Sequence, residues 1–141
     1  FKRILQAGRI EPYPGTEAVL DALAAQGGRL AVVSSSKNAV PVLEAAGLLG
    51  RFETVVDGEV AAKEGLPGKP APDTFVFAAS RLGVAPAGAA VVEDAISGVE
   101  AGRAGGFGLV VGVDRGVGEA ALRAAGADAV ISNLPQLLDP A

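Results

Sequence analysis

Ala90-Val91-Val92-Glu93-Asp94, followed by Ala95-Ile96-Ser97-Gly98-Val99-Glu100-Ala101-Gly102, is the stretch on which the reading of this chain turns. A short apolar run delivers two adjacent carboxylates to its end, and a helix of small residues begins at once. Apolar strands that run straight into helices build open parallel sheets, whose ligands bind beyond the carboxyl ends of the strands. Two acids in that position suit a hard cation such as Mg2+, which takes oxygen ligands. A single Asp after a strand need do no more than cap the next helix. The second acid, and what precedes the pair, point further.

The same alternation recurs on both sides. Upstream, Leu30-Ala31-Val32-Val33 is a continuous apolar run, the mark of a strand covered on both faces. It ends in Ser34-Ser35-Ser36-Lys37-Asn38, and a helix carrying Val40, Leu43 and Ala46 follows and closes at Gly47. Thr54-Val55-Val56 is the next strand, running into Asp57-Gly58 and then a loop from about Glu59 to Pro72. Asp73 opens a helix with Phe75, Val76, Ala79 and Leu82 facing inward. Downstream come the strand Leu109 to Val113, a helix around Glu119 to Ala125, and the strand Ala129-Val130-Ile131. Nearer the start, Phe1 to Leu5 reads as the end of a helix, Pro12 to Gly15 as a turn, and a helix begins at Thr16 with Val19, Leu20 and Leu23 on one face. Strands separated by helices of this length require right-handed crossovers, so the fold class is α/β with a parallel sheet.

Composition narrows the chemistry. The chain has 141 residues, half of them apolar, enough for one ordinary core. A formal net charge of −4 leaves no basic face for nucleic acid. The sequence contains no Cys and no His, which excludes thiol catalysis, Ser-His-Asp triads and His- or thiolate-held metals. It contains no apolar run of membrane-spanning length and no charged-then-apolar leader, so a cytoplasmic protein without a membrane partner is expected. It opens without Met and already inside a helix-like pattern, which suggests a piece of a longer protein.

Two further constellations accompany the acid pair. Ser34-Ser35-Ser36-Lys37-Asn38 puts hydroxyls and backbone N–H groups between a buried strand and a helix N-terminus, a natural phosphate cradle; a plain helix cap with a solvated Lys is the simpler alternative. In Gly68-Lys69-Pro70-Ala71-Pro72-Asp73, Pro70 disfavours helix at Lys69 and sets the ammonium on a stiff support. A rigid cation aimed at the strand ends can neutralise a phosphoryl group, although most loop lysines are merely solvated.

Taken in order, strand–Ser, rigid Lys-Pro and strand–Glu-Asp resemble the second, third and fourth motifs of the haloacid dehalogenase superfamily of phosphoryl-transfer enzymes. The wording Ser34-Ser35-Ser36-Lys37-Asn38, Gly68-Lys69-Pro70-Ala71-Pro72-Asp73-Thr74-Phe75 and Val92-Glu93-Asp94-Ala95 is similar to the β-phosphoglucomutase-like branch. The resemblance implies a Rossmann-like sheet with helices on both faces and Mg2+-dependent phosphoryl transfer on a small phosphorylated sugar through an aspartyl-phosphate. It implies that Ser34 and the Ser35 N–H bind the transferring phosphoryl group, and that Lys69 bridges it to the nucleophile. Asp94 would ligate Mg2+ with Glu93 supporting the metal directly or through water, and Ser36, Lys37 and Asn38 would hold the substrate's other phosphate.

The family's first motif, a strand ending in Asp-x-Asp, has no match here. Val55-Val56-Asp57-Gly58-Glu59 lacks the second Asp at the required spacing and follows the serine motif. The resemblance therefore divides the chain into residues 1–14, the end of a cap domain and its linker, and 15–141, a core lacking its first, central strand. Strands lie about 4.8 Å apart, so the neighbours of a missing central strand would stand about 9.6 Å apart with unpaired inward edges. An unstable chain, a rearranged sheet, or a sheet completed by another chain or fused domain is the expectation. A non-catalytic phosphate- or metal-binding fragment is the alternative to an enzyme. A receiver domain is set aside, because its Lys-Pro follows the acid strands whereas Lys69-Pro70 precedes Glu93.

Overall fold

A computed structural model describes residues 3–7 as backbone, and residues 25, 29–34, 39–45, 47, 50 and 52–132. Six parallel strands form one sheet: β1 (Arg3–Ala7), β2 (Leu30–Val33), β3 (Thr54–Val56), β4 (Ala89–Glu93), β5 (Leu109–Val113) and β6 (Ala129–Ile131). Their order across the sheet is β3-β2-β1-β4-β5-β6. The helices are α1 (Ala39–Ala45), α2 (Gly58–Glu64), α3 (Asp73–Arg81), α4 (Ile96–Ala104) and α5 (Glu119–Ala125). The α/β parallel sheet read from the strand–helix alternation is the architecture observed. Among the described residues no helix is long and apolar enough to cross a membrane.

The start of the chain departs from expectation. Phe1 to Leu5 reads as helix in the sequence, yet Arg3–Ala7 is a strand at the centre of the sheet. It pairs with β2 in the register Ile4↔Leu30 to Ala7↔Val33, and with β4 from Arg3↔Ala89 to Gln6↔Val92. The gap expected there is thus filled within the chain, and both inward ladders find partners. Arg3-Ile4-Leu5-Gln6-Ala7 contains no acid, so the filled slot supplies no Asp-x-Asp. Apart from Ala25, which is helical, the helix expected from Thr16 lies outside the described residues, as do Ser35 to Asn38.

The strands behave as their apolar runs dictate. Every residue of β2 and β4 is buried, as a strand covered on both faces requires. Phe75, Ala78, Ala79 and Leu82 from α3 and its end pack with Val91, Val99 and Val110 in the main core. The inward face of α3 is Thr74, Phe75, Ala78 and Ala79, whereas Val76, expected inside, is exposed. The expected loop after β3 also begins as a helix. Asp57 accepts from the Val60 N–H at 2.9 Å, capping α2, and Gly65 ends it at φ 67°. The sequence reading missed α2 because it carries no buried residue, and so no apolar stripe.

With β1 paired on both sides, amides 31–33 and 90–92 should exchange slowly with deuterium in a monomer of this chain. Fast exchange along either strand would show that the centre of the sheet is open.

Candidate active site

The carboxyl ends of β2, β4 and β5 and the loop before α3 converge on one edge of the sheet. Ser34 directly follows β2, and its N–H donates to the Val56 carbonyl at 2.9 Å, holding it against the end of β3. A cavity of about 290 Å³ opens between this strand end, α2 and the lysine loop, and Ser34 and Lys69 both line it. Ala61 and Leu66 form part of its apolar wall. The structure therefore brings together two residues that stand far apart in the sequence.

Lys69 is held from two sides: its Nζ lies 5.3 Å from the centroid of the Phe75 ring, and it donates to Glu93 Oε2 at 3.1 Å. Phe75 in turn meets Phe107 edge to face, with centroids 6.1 Å apart. The Lys69 side chain is 11% exposed and that of Glu93 0%, so this ion pair is shielded from the water that makes surface pairs weak.

Glu93 uses both carboxylate oxygens. Oε2 accepts from Lys69, while Oε1 accepts from the N–H groups of Asp94 and Ala95, each at 3.1 Å. The second interaction seats a negative charge at the start of α4, where free N–H groups and the helix dipole favour it. Burial pushes the Glu93 carboxyl above its ordinary value; Lys69 pulls the other way, and the neighbouring Asp94 pushes it up again. At 3.1 Å from an ammonium, with two N–H donors, the geometry is that of a charged pair.

Asp94 turns to another partner. Its Oδ2 lies 3.8 Å from Arg115 Nη1, on the loop after β5. Asp114 shapes that loop: its Oδ1 accepts from the N–H of Gly116 and of Gly118, each at 3.0 Å. Gly116 and Gly118 have φ of 119° and 100°, conformations that residues with a Cβ rarely adopt. Arg115 and Phe75 are the site residues that sequence reasoning missed. The Asp-Arg-Gly-Val-Gly spacing of the loop was the available signal for Arg115; Phe75 was recognised only as core.

Ser34, Lys69, Glu93 and Asp94 thus share one end of the sheet, whereas Ser35, Ser36, Lys37 and Asn38 lie outside the described residues. Among the described residues no group of three or more Asp, Glu, His or Cys side chains comes together to cage a metal. Mg2+ does not need one, since it commonly takes one or two carboxylates and completes its shell with water and phosphate oxygens. Glu93 is held on both oxygens, whereas Asp94 has a longer contact, 3.8 Å to Arg115, and is the carboxylate of the pair that could hold such a cation.

A profile of the haloacid dehalogenase-like hydrolases matches residues 2–106. This chain belongs to that family. It is 46% identical over 140 residues to a β-phosphoglucomutase of Mycobacterium bovis, covering 96% of this chain and 53% of that protein. A phosphoglycolate phosphatase of Nitrosococcus oceani is 33% identical, over 89% of this chain and 55% of its own length. Among solved structures, a family hydrolase from Deinococcus radiodurans with bound phosphate and sodium superposes with a TM-score of 0.78 at 34% identity, covering 88% of this chain and 56% of its own. The chain spans about half the length of the curated relatives it matches.

The two N–H bonds hold the Asp114 carboxyl below its ordinary value of 3.8. Its contribution to the loop is therefore present above 3.8 and lost as pH falls through the lowered value. The amide shifts of Gly116 and Gly118 should titrate together with a midpoint below 3.8. A midpoint at or above that value would remove Asp114 as the support of Arg115.

Proposed function

We propose that the intact protein transfers phosphoryl groups to or from a small phosphorylated sugar with the help of Mg2+, in the manner of the β-phosphoglucomutases and phosphatases it is similar to. The observation that carries this reading is the cavity shared by Ser34 and Lys69, with the Lys69–Glu93 pair and Asp94 at the adjoining strand end. Phosphoryl transfer needs positioning and charge stabilisation more than covalent chemistry from the protein. In this reading Ser34 hydrogen-bonds a phosphoryl oxygen, and Lys69, immobilised by Glu93 and Phe75, neutralises the developing charge. The Ser35 N–H is assigned to the same phosphoryl group as Ser34, and Ser36, Lys37 and Asn38 to the phosphate on the remainder of the substrate.

Asp94 is the proposed Mg2+ ligand, and Glu93 supports the metal through its placement of Lys69 and through water. Bound Mg2+ supplies positive charge to the phosphoryl oxygens and orients them. The nucleophilic Asp is assigned to the part of the relatives' length that this chain does not span. In the intact protein the Asp-x-Asp strand would take the central sheet position that Arg3–Ala7 fills here, residues 1–14 would be the end of the cap and its link to the core, residues 15–141 the core, and the cytoplasm the compartment. A second reading, a phosphate- or metal-binding unit without turnover, is favoured by one observation. Asp57, the acid that follows an apolar strand before Glu93, is committed to capping α2.

Incubating the intact protein with β-glucose 1-phosphate and a bisphosphate primer separates the activities. Isomerisation supports a mutase, phosphate release alone a phosphatase, and neither product the non-catalytic reading. Lys69→Ala should lower kcat by roughly 100- to 1000-fold with KM changed only a few-fold, as removal of a charge-stabilising donor does. An unchanged kcat would contradict the role given to Lys69. Asp94→Asn should raise the Mg2+ concentration needed for half-maximal activity, and an unaltered Mg2+ dependence would contradict the ligand assignment.

A further inference from the structure

Two glycines in α4 face the sheet, and they differ in what a side chain would meet. At Gly102 an added Cβ would lie 3.2 Å from Val110 Cγ2 and 3.4 Å from Val91 Cβ, a tight contact that the valine side chain must yield to by a few tenths of an ångström. At Gly98 it would meet the buried side chain of Glu93 and overlap its Cγ, Cδ and Oε2 outright. Glycine in a helix is less favourable than alanine, and φ at this position is not in the left-handed region that only glycine favours. The space at Gly98 is instead filled by a carboxylate.

We propose that Gly98 is a positioning residue for Lys69: the missing Cβ is the slot in which the Glu93 side chain lies, and that seat presents Oε2 to the ammonium. Every link is in the geometry. Gly98 lies in the first turn of α4, the Glu93 side chain passes against it, Oε1 is fixed by the N–H groups of Asp94 and Ala95, and Oε2 meets Lys69 at 3.1 Å. A methyl group at position 98 can be accommodated only by moving Glu93, since the helix is fixed to the sheet through Val99, Ala101 and Gly102, all buried. Moving Glu93 withdraws the partner of Lys69, whose Nζ sits inside the site. The consequence for catalysis rests on the phosphoryl-transfer reading above; the seating of Glu93 does not.

The experiment is a double-mutant cycle in the intact protein with Gly98→Ala, Glu93→Ala and both together, and with Gly102→Ala as a packing control. Gly98→Ala should lower kcat roughly 10- to 100-fold while KM stays within about twofold, as a misplaced charge-stabilising group does. Added to Glu93→Ala it should cost no more than about a further twofold, because the clash has gone. Gly102→Ala should lower the urea midpoint without changing kcat. Losses from Gly98→Ala and Glu93→Ala that multiply, or an unchanged kcat in Gly98→Ala, would overturn the proposal. If the intact protein transfers no phosphoryl group, the same cycle is read in urea midpoints. Gly98→Ala must then destabilise the protein that has Glu93 and not the Glu93→Ala protein, and equal shifts in both backgrounds would overturn the seating itself.

Discussion

The organisation of this site depends on one buried ion pair, Lys69 with Glu93. A carboxylate with no exposed surface is expensive to keep charged. It is offset here by an ammonium at 3.1 Å and by two backbone N–H groups at the start of a helix. Such a pair adds little net stability compared with a packed apolar equivalent, but either half left alone is strongly unfavourable. What the pair contributes is therefore position. Each charge holds the other where the fold needs it, and the cation is the one that reaches the cavity beside Ser34.

The remaining architecture sets the conditions for that pair. β4 delivers Glu93 at its last residue and Asp94 just beyond, so adjacent acids in the sequence diverge to different partners. One turns to Lys69, and the other to Arg115 on the loop after β5. The Phe75 ring lies beside the lysine ammonium, and Gly98 leaves room for the carboxylate beneath α4. In the proposed function the two acids divide the labour, Asp94 as metal ligand and Glu93 chiefly as the seat of Lys69.

Much of this was legible in the sequence, and for identifiable reasons. Leu30 to Val33 and Ala89 to Val92 are apolar runs that only a doubly covered strand explains, and the acids and serine at their ends fall on one edge of the sheet, as their spacing implied. Helix α2 was not legible, because Asp57 and Gly65 define it through capping while its residues bury no face. Arg3–Ala7 was misread as helix because local pattern cannot see an empty sheet position, and pairing on both sides overrides local preference. The partition of Glu93 from Asp94 was invisible for a similar reason. It depends on Lys69, Gly98 and Arg115, which only the folded chain brings near.

A crystal of the intact protein soaked in Mn2+, with the metal located by its anomalous scattering, tests this division of labour most directly. Mn2+ should sit on the Asp94 carboxylate, with Lys69 Nζ still within hydrogen-bond distance of Glu93. Mn2+ bound directly to Glu93, with Lys69 released from it, would contradict the account.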